Sequence, residues 1–119
     1  MTAVSVGDLA GEDLCYVTTT GRHSGREHTI EIWFVVRGAS VYILMGGGEK
    51  ADTVRNLRAN RDARVRIGGR TWQGTGRVVT DDAEAAFVRH ALPAKYAAHE
   101  DGLEAWAATA LPVAIDIAG

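Results

Sequence analysis

What most constrains this chain is the way short β-branched runs follow one another across turns of only two to six residues. Leu14–Thr20 reads as a strand, Gly21–Arg26 as its turn and His28–Val36 as the partner strand. Arg37-Gly38-Ala39-Ser40 is a second turn, leading into a strand over Val41–Met45. Further on, the alternation Arg64, Val65, Arg66, Ile67 marks a strand with one wet face, and Gly68-Gly69 a two-residue hairpin loop into a strand over Arg70–Thr80. Strands joined this closely run antiparallel, because a parallel partner needs a crossover of roughly a dozen residues or more. A small barrel or sandwich with attached helices is therefore expected, not a parallel nucleotide-binding sheet. Gly46-Gly47-Gly48 follows a strand and precedes a helix, as phosphate loops do, but the lysine and hydroxyl spacing of a Walker motif is absent.

The helices are fewer. One is predicted from about Asp52, a plausible N-cap, to Asn60, with Val54 and Leu57 inward and Arg55 and Arg58 outward. A second runs from Asp82 to about His99, its periodic face drawn through Ala83, Ala86, Phe87, His90 and Ala94, and a third spans Leu103 to Thr109. Leu111, Val113, Ile115 and Ile117 alternate as a closing strand. Gly74 and Gly76 interrupt their strand and predict a bulge or bend. In all, about six antiparallel strands and two or three helices are expected in a single domain over residues 1–119, with 1–12 as an N-terminal segment that can be mobile. The 119 residues, 46% of them hydrophobic, suffice for a core without metal or disulfide support.

Several function classes are disfavoured. Residues 50–80 carry eight Lys or Arg against two acids, although the net charge is −2. That basic block lacks the interleaved aromatics of a base-stacking surface, and the pI is about 6.0, so nucleic acid is not the expected partner. No long apolar run predicts a membrane span. With one cysteine, Cys15, in an apolar strand, no internal disulfide can form, and a cytoplasmic location is expected. No metal is expected either: His23 and His28 flank a turn without a third ligand, and His90 and His99 lack ligand spacing.

The chemistry concentrates in the first turn. Gly21 and Gly25 permit backbone conformations that other residues resist, and Arg22, Arg26 and the Ser24 hydroxyl can converge on a phosphate or carboxylate. An ordinary basic hairpin turn is the competing interpretation of this segment. A small, highly anionic ligand suits the basic middle of the chain.

Three further segments extend the pattern: Thr18-Thr19-Thr20-Gly21-Arg22-His23-Ser24-Gly25-Arg26 is followed by Gly47-Gly48-Glu49-Lys50, by Asn56-Leu57-Arg58-Ala59-Asn60 and by Gly68-Gly69-Arg70. From Leu14 to Ile117 the chain thereby resembles the deazaflavin-dependent nitroreductase and quinone reductase family, which uses coenzyme F420 on a split β-barrel related to flavin-binding oxidases. The resemblance implies a split-barrel fold and a hydride passed from reduced F420 to a quinone, nitroaromatic or activated alkene. A deazaflavin needs an apolar slot for its planar ring beside donors for its phosphate and carboxylates. The strand from His28, with Ile30 and Ile32, would floor the slot, and Met45 would border it. Arg22, His23, Ser24, Arg26 and Lys50 would hold the tail, while Gly46, Gly47 and Gly48 let the cofactor approach. Arg55 and Asn56 are further tail contacts by resemblance.

On the acceptor side the candidates are Trp33, Tyr96 and Trp106, whose aromatic faces could sandwich a flat molecule. The competing interpretation is core packing, since Trp33 is on a core strand, Trp106 is at helical spacing from Leu103, and large aromatics in such settings usually fill the interior. Tyr96 is also a candidate proton donor, and no other catalytic side chain is assigned. The chain departs from the better-known nitroreductases in having Glu31 where they carry Pro, and in lacking aromatics near Thr53 and Val54. Glu31 would sit beside the slot unless it faces solvent, where a salt bridge to Arg22 or Arg26 is the ordinary alternative. An FMN-binding split-barrel protein, or a noncatalytic flavin or F420 binder, is the alternative function. A monomer and a homodimer remain equally compatible with the sequence.

Overall fold

A computed structural model describes residues 5–118. After a 3-10 turn over Val6–Leu9 come β1 (Cys15–Thr20), β2 (Glu27–Ile32), β3 (Val35–Arg37) and β4 (Ser40–Met45). A second 3-10 turn, Gly48–Lys50, leads into α1 (Asp52–Ala59), then β5 (Asp62–Ile67) and β6 (Arg70–Val78). The chain finishes with α2 (Asp82–Tyr96), α3 (Leu103–Thr109) and β7 (Leu111–Ile117). The strands form one sheet in the order β2-β1-β5-β6-β7-β4-β3, with every pairing antiparallel. Both Gly68 (φ 55°) and Gly69 (φ 81°) adopt the left-handed conformation that a tight β5–β6 hairpin demands.

The strand order itself forces curvature. β2 and β3 stand at opposite ends of the sheet, yet only Trp33 and Phe34 separate Ile32 from Val35. Three Cα steps reach at most about 11 Å, far short of the width of a flat sheet whose strands lie roughly 4.8 Å apart. The sheet therefore curls until its edges approach, giving a split barrel.

Alternation then sorts the side chains. Val17, Ile43, Val65, Ile67, Val113 and Ile115 fill the barrel, joined by Val54 and Leu57 from α1. Neighbouring residues on β4 and β7 point the other way: Tyr42, Leu44 and Ala114 pack beneath Val88 and Leu92 of α2 and Leu103 and Ala107 of α3. These two strands are covered on both faces, which explains their nearly continuous apolar sequence.

Four expectations need correction. The predicted strand His28–Val36 is two strands, β2 and β3, which brings the sheet to seven strands. α2 ends at Tyr96 and turns Ala85, Val88, Leu92 and Tyr96 inward, leaving Ala83, Ala86, His90 and Ala94 exposed; in an alanine-rich helix, small residues mark two faces equally well. Neither Gly74 nor Gly76 breaks its strand: Gly74 pairs with Ala63 of β5 and Ile117 of β7, and Gly76 with Ile115 of β7. Their role is close approach: a Cβ at Gly74 would lie 2.7 Å from the Asp116 carbonyl oxygen, and one at Gly76 2.5 Å from Leu57 Cδ2. The N-cap of α1 is Ala51, with Asp52 as the first helical residue. In the N-terminal segment Val6 is buried in the barrel core, with Leu9 packed against it; residues 1–4 lie outside the described residues.

No described helix is long and apolar enough to cross a membrane.

Candidate active site

β2 carries the site along one face. Its alternation half-buries His28, Ile30 and Ile32 and exposes Glu27, Thr29 and Glu31. A cleft opens at each end of that face, the two separated by the strand rise from His28 to Ile32, about 13 Å at roughly 3.3 Å per residue.

The first cleft, about 280 Å³, is walled by Gly21, Arg22, His23, Ser24, Arg26, Glu27, His28, Asp52 and Asn56. The turn that shapes it is tight. Gly21 N–H donates to the Arg26 carbonyl at 2.7 Å, Gly25 N–H to the Gly21 carbonyl at 2.9 Å, and Arg26 N–H to Ser24 Oγ at 3.1 Å. A Cβ at Gly21 would come within 3.0 Å of both Arg26 O and Ser24 Oγ, so residue 21 is small because the turn folds onto it.

Asn56 anchors this turn to α1. Only 2% exposed, its Oδ1 accepts from Arg22 N–H (3.1 Å) and Arg22 Nη1 (2.9 Å), and its Nδ2 donates to Thr19 Oγ1 (3.2 Å). Every hydrogen-bonding position of the carboxamide but one is thus engaged within the protein. Arg22 also reaches Asp52 Oδ1 at 3.2 Å through Nη2. The sequence reading missed Asp52 as a wall of this cleft; its signal was there, an acid at the start of the helix that carries Asn56. By contrast the Arg26 guanidinium makes no side-chain hydrogen bond among the described residues, and the side chain is exposed. Lys50 and Arg55, both exposed, lie outside the walls of this cleft, with Arg55 Nε directed at the Glu49 carbonyl at 3.4 Å.

The second cleft, about 370 Å³, is lined by Leu14, Glu31, Ile32, Trp33, Leu44, Gly46 and Trp106. Trp33 and Trp106, proposed separately from sequence, meet here across more than seventy residues of chain. Gly46 leaves room for the indole of Trp106, whose Nε1 would lie 3.2 Å from a Cβ at that position. Met45 is half-buried against the barrel core, and Gly48 (φ 58°) turns the chain toward α1. Leu14 and Leu44 are lining residues that sequence reasoning missed, since nothing distinguishes a cleft leucine from a core one.

Tyr96 stands elsewhere. It is fully buried and stacks on Trp33, ring centroids 4.3 Å apart and planes 4° from parallel. Its hydroxyl accepts from Phe34 N–H at 3.1 Å and directs its proton to the carbonyls of Asp13 (2.8 Å) and Phe34 (3.1 Å). Burial pushes its pKa up to about 12. Tyr96 is thus a clamp on the β2–β3 crossing and not an exposed proton donor, and it reaches the cleft only through Trp33. Glu31 faces outward and accepts from Tyr16 OH at 2.7 Å; neither Arg22 nor Arg26 pairs with it.

Comparison with known proteins now decides the family. The model of the F420H(2)-dependent quinone reductases matches residues 1–117. The chain belongs to this family. It is accordingly an F420-dependent oxidoreductase. Among solved structures, a conserved hypothetical protein from Mycobacterium tuberculosis is 15% identical, with 100% of this chain and 82% of that one covered at a TM-score of 0.78. A protein described as an F420 reductase is 17% identical over 100% of this chain and 97% of its own, at 0.70. An F420H2-dependent reductase is 18% identical over 99% of each chain, at 0.66. At such identities these three likenesses speak for the fold. No curated protein matches the chain by sequence.

Proposed function

We propose that this chain binds F420 along β2 and catalyses reduction of an electron-poor acceptor, a quinone, nitroaromatic or activated alkene, in the cleft between Trp33 and Trp106. The observation that carries this reading is the pairing of two unlike clefts at the ends of one strand face: donors around the Gly21–Arg26 turn, indoles and aliphatics at the other end. That donor set fits an anionic tail, and the half-buried Ile30 and Ile32 between the clefts fit a planar ring.

Reduced F420, when bound, supplies a hydride from its ring carbon. The chain's own residues bind and orient. Arg26, His23 and Ser24 are the donors free to turn toward phosphate or carboxylate, while Arg22 holds the turn against α1. Trp33, fixed by its stack on Tyr96, and Trp106 keep a flat acceptor parallel to the slot and displace water from it. A quinone that takes up one hydride needs one proton to become a hydroquinone, and solvent supplies it at the open mouth of the cleft.

Titration of the cofactor-free protein with F420, followed by cofactor fluorescence and run beside FMN, tests the binding half. Consumption of F420H2 in the presence of a naphthoquinone tests the other. Micromolar F420 binding with quinone-dependent oxidation is the expected result; FMN binding in its place, or F420 binding without turnover, would overturn it.

A further inference from the structure

The acceptor cleft carries one charged side chain in its lining, Glu31, among six residues that are aliphatic, indole or glycine. It borders the cleft because β2 leaves the sheet at this point, bringing the consecutive residues Glu31, Ile32 and Trp33 to the same opening. Tyr16 OH occupies Oε2, and Oε1 has no hydrogen-bond partner among the described residues. Glu31 takes part in none of the ion pairs formed among the described residues. On the far side of β1, Arg66 of β5 lies over the Tyr16 ring at 4.2 Å and forms no ion pair with Glu31. Lys95 is drawn the other way, donating to the Phe34 carbonyl at 3.0 Å with Nζ 3.7 Å from the Phe34 ring centre. The mouth of an apolar, aromatic cleft thus carries a carboxylate without an ion-pair partner among the described residues, beside a chain segment that continues through the acids Glu12 and Asp13.

Resting on the reading of this cleft as the acceptor site, we propose that Glu31 makes it selective for flat acceptors that carry a positive charge over those that carry a negative one. The aromatic walls recognise the flat body, whatever its charge. The carboxylate, exposed at the rim, attracts a cationic substituent and repels an anionic one, with an effect of the size expected for solvent-exposed charges and weakened by salt.

The test compares three naphthoquinones: the uncharged parent, one with a quaternary ammonium side arm and one with a sulfonate. Binding to the cofactor-free protein is read by quenching of tryptophan emission, with Trp72, outside the cleft, as background; kcat/KM with F420H2 is read separately. Each charged quinone is normalised to the parent. The ammonium compound is expected to exceed the sulfonate roughly fivefold in both readouts at low salt. That ratio should approach one in about 0.5 M salt and in Glu31→Gln, whose amide can still accept from Tyr16 OH, and should invert in Glu31→Lys. A ratio near one in the wild type, a ratio that survives Glu31→Gln, or absence of quenching by any quinone would overturn the inference. Turnover of the uncharged parent is independent of it. Loss of that turnover would count against the reductase reading, whereas an unchanged charge ratio with parent turnover intact would count against Glu31 alone.

Discussion

The two ends of β2 are held by the same device, built from different chemistry. At the polar end, Asn56 reaches from α1 to the Arg22 N–H and to Thr19. At the aromatic end, Tyr96 reaches from α2 to the N–H and carbonyl of Phe34 and to Asp13. In both, a buried polar side chain on a helix satisfies backbone groups where a strand stops and no further strand can. The two clamps differ in the surface each one presents. Asn56 holds a turn whose outward groups are donors, so the cleft there is open, polar and suited to anions. Tyr96 adds a stacked ring, and the wall it holds is itself an aromatic side chain, Trp33. A helix-borne clamp can therefore set either a charge pattern or a shape, according to which groups it leaves facing out.

Removing the clamps should separate the two ends. The largest effect is expected from Tyr96→Ala, which empties a fully buried aromatic site at a cost of about 3–5 kcal/mol, read as a large drop in the urea midpoint. Tyr96→Phe keeps the ring but strips partners from Phe34 N–H and the Asp13 carbonyl, costing about 1–3 kcal/mol. If the hydroxyl served as proton donor, turnover in Tyr96→Phe would collapse at unchanged folded fraction; the structure predicts turnover retained. Asn56→Ala should cost about 1–3 kcal/mol through the orphaned Arg22 N–H and Thr19 hydroxyl. It should also weaken F420 binding while leaving acceptor quenching at the Trp33 end as it is. An equal loss at both ends would break the comparison.

The arginines of the first turn sharpen it. Arg22 and Arg26 look alike in sequence, but Arg22 is spent on Asn56 and Asp52 and Arg26 is not. Arg26→Ala should lower F420 affinity about tenfold, the worth of one charge-assisted hydrogen bond, with the melting temperature unmoved. Arg22→Ala should lower both affinity and melting temperature. Matched calorimetric titrations and thermal melts of the two variants decide between this division of labour and an equal one.

How much of this could be read from the sequence depended on how local each cause was. The hairpins, the Gly68-Gly69 turn and the span of α3 arise from alternation and turn chemistry within a few residues, and they stand as expected. The break at Trp33–Phe34 does not, because both residues continue a β pattern. What stops the strand is Tyr96, sixty-two residues downstream of Phe34, whose hydroxyl takes the N–H that a ladder partner would have taken. Gly74 and Gly76 were visible as exceptional positions, but their reason, the approach of β7 and of Leu57, is tertiary. In the site, the residues of the Gly21–Arg26 turn were legible as one group because they are consecutive. The meeting of Trp33 with Trp106 was not, since it depends on the path of α3 over β4.

Acid should divide the two ends again, with the smallest effect at neutral pH. α2 is tied to the sheet at its first turn by Glu84, which accepts two bonds from Arg77 (2.8 and 2.7 Å) and one from Tyr42 OH. Arg77 in turn bonds Asp116. These bonds, Arg77 foremost, hold the Glu84 carboxyl down to about 2 from its ordinary 4.5, and Arg77 lowers Asp116 as well. A carboxyl depressed in the folded state contributes stability that is complete above its unfolded pKa and is lost as pH falls toward the folded one. The loss should therefore fall between about pH 4.5 and 2, with nothing seen at pH 7. The clamp at the polar end is an amide and carries no such charge. Monitored by hydrogen exchange, α2 should open before α1 as pH drops through this window, and Glu84→Gln, less stable at neutral pH, should flatten that dependence. Simultaneous opening of both helices would mean that the sheet, and not its helical clamps, sets the acid limit of the fold.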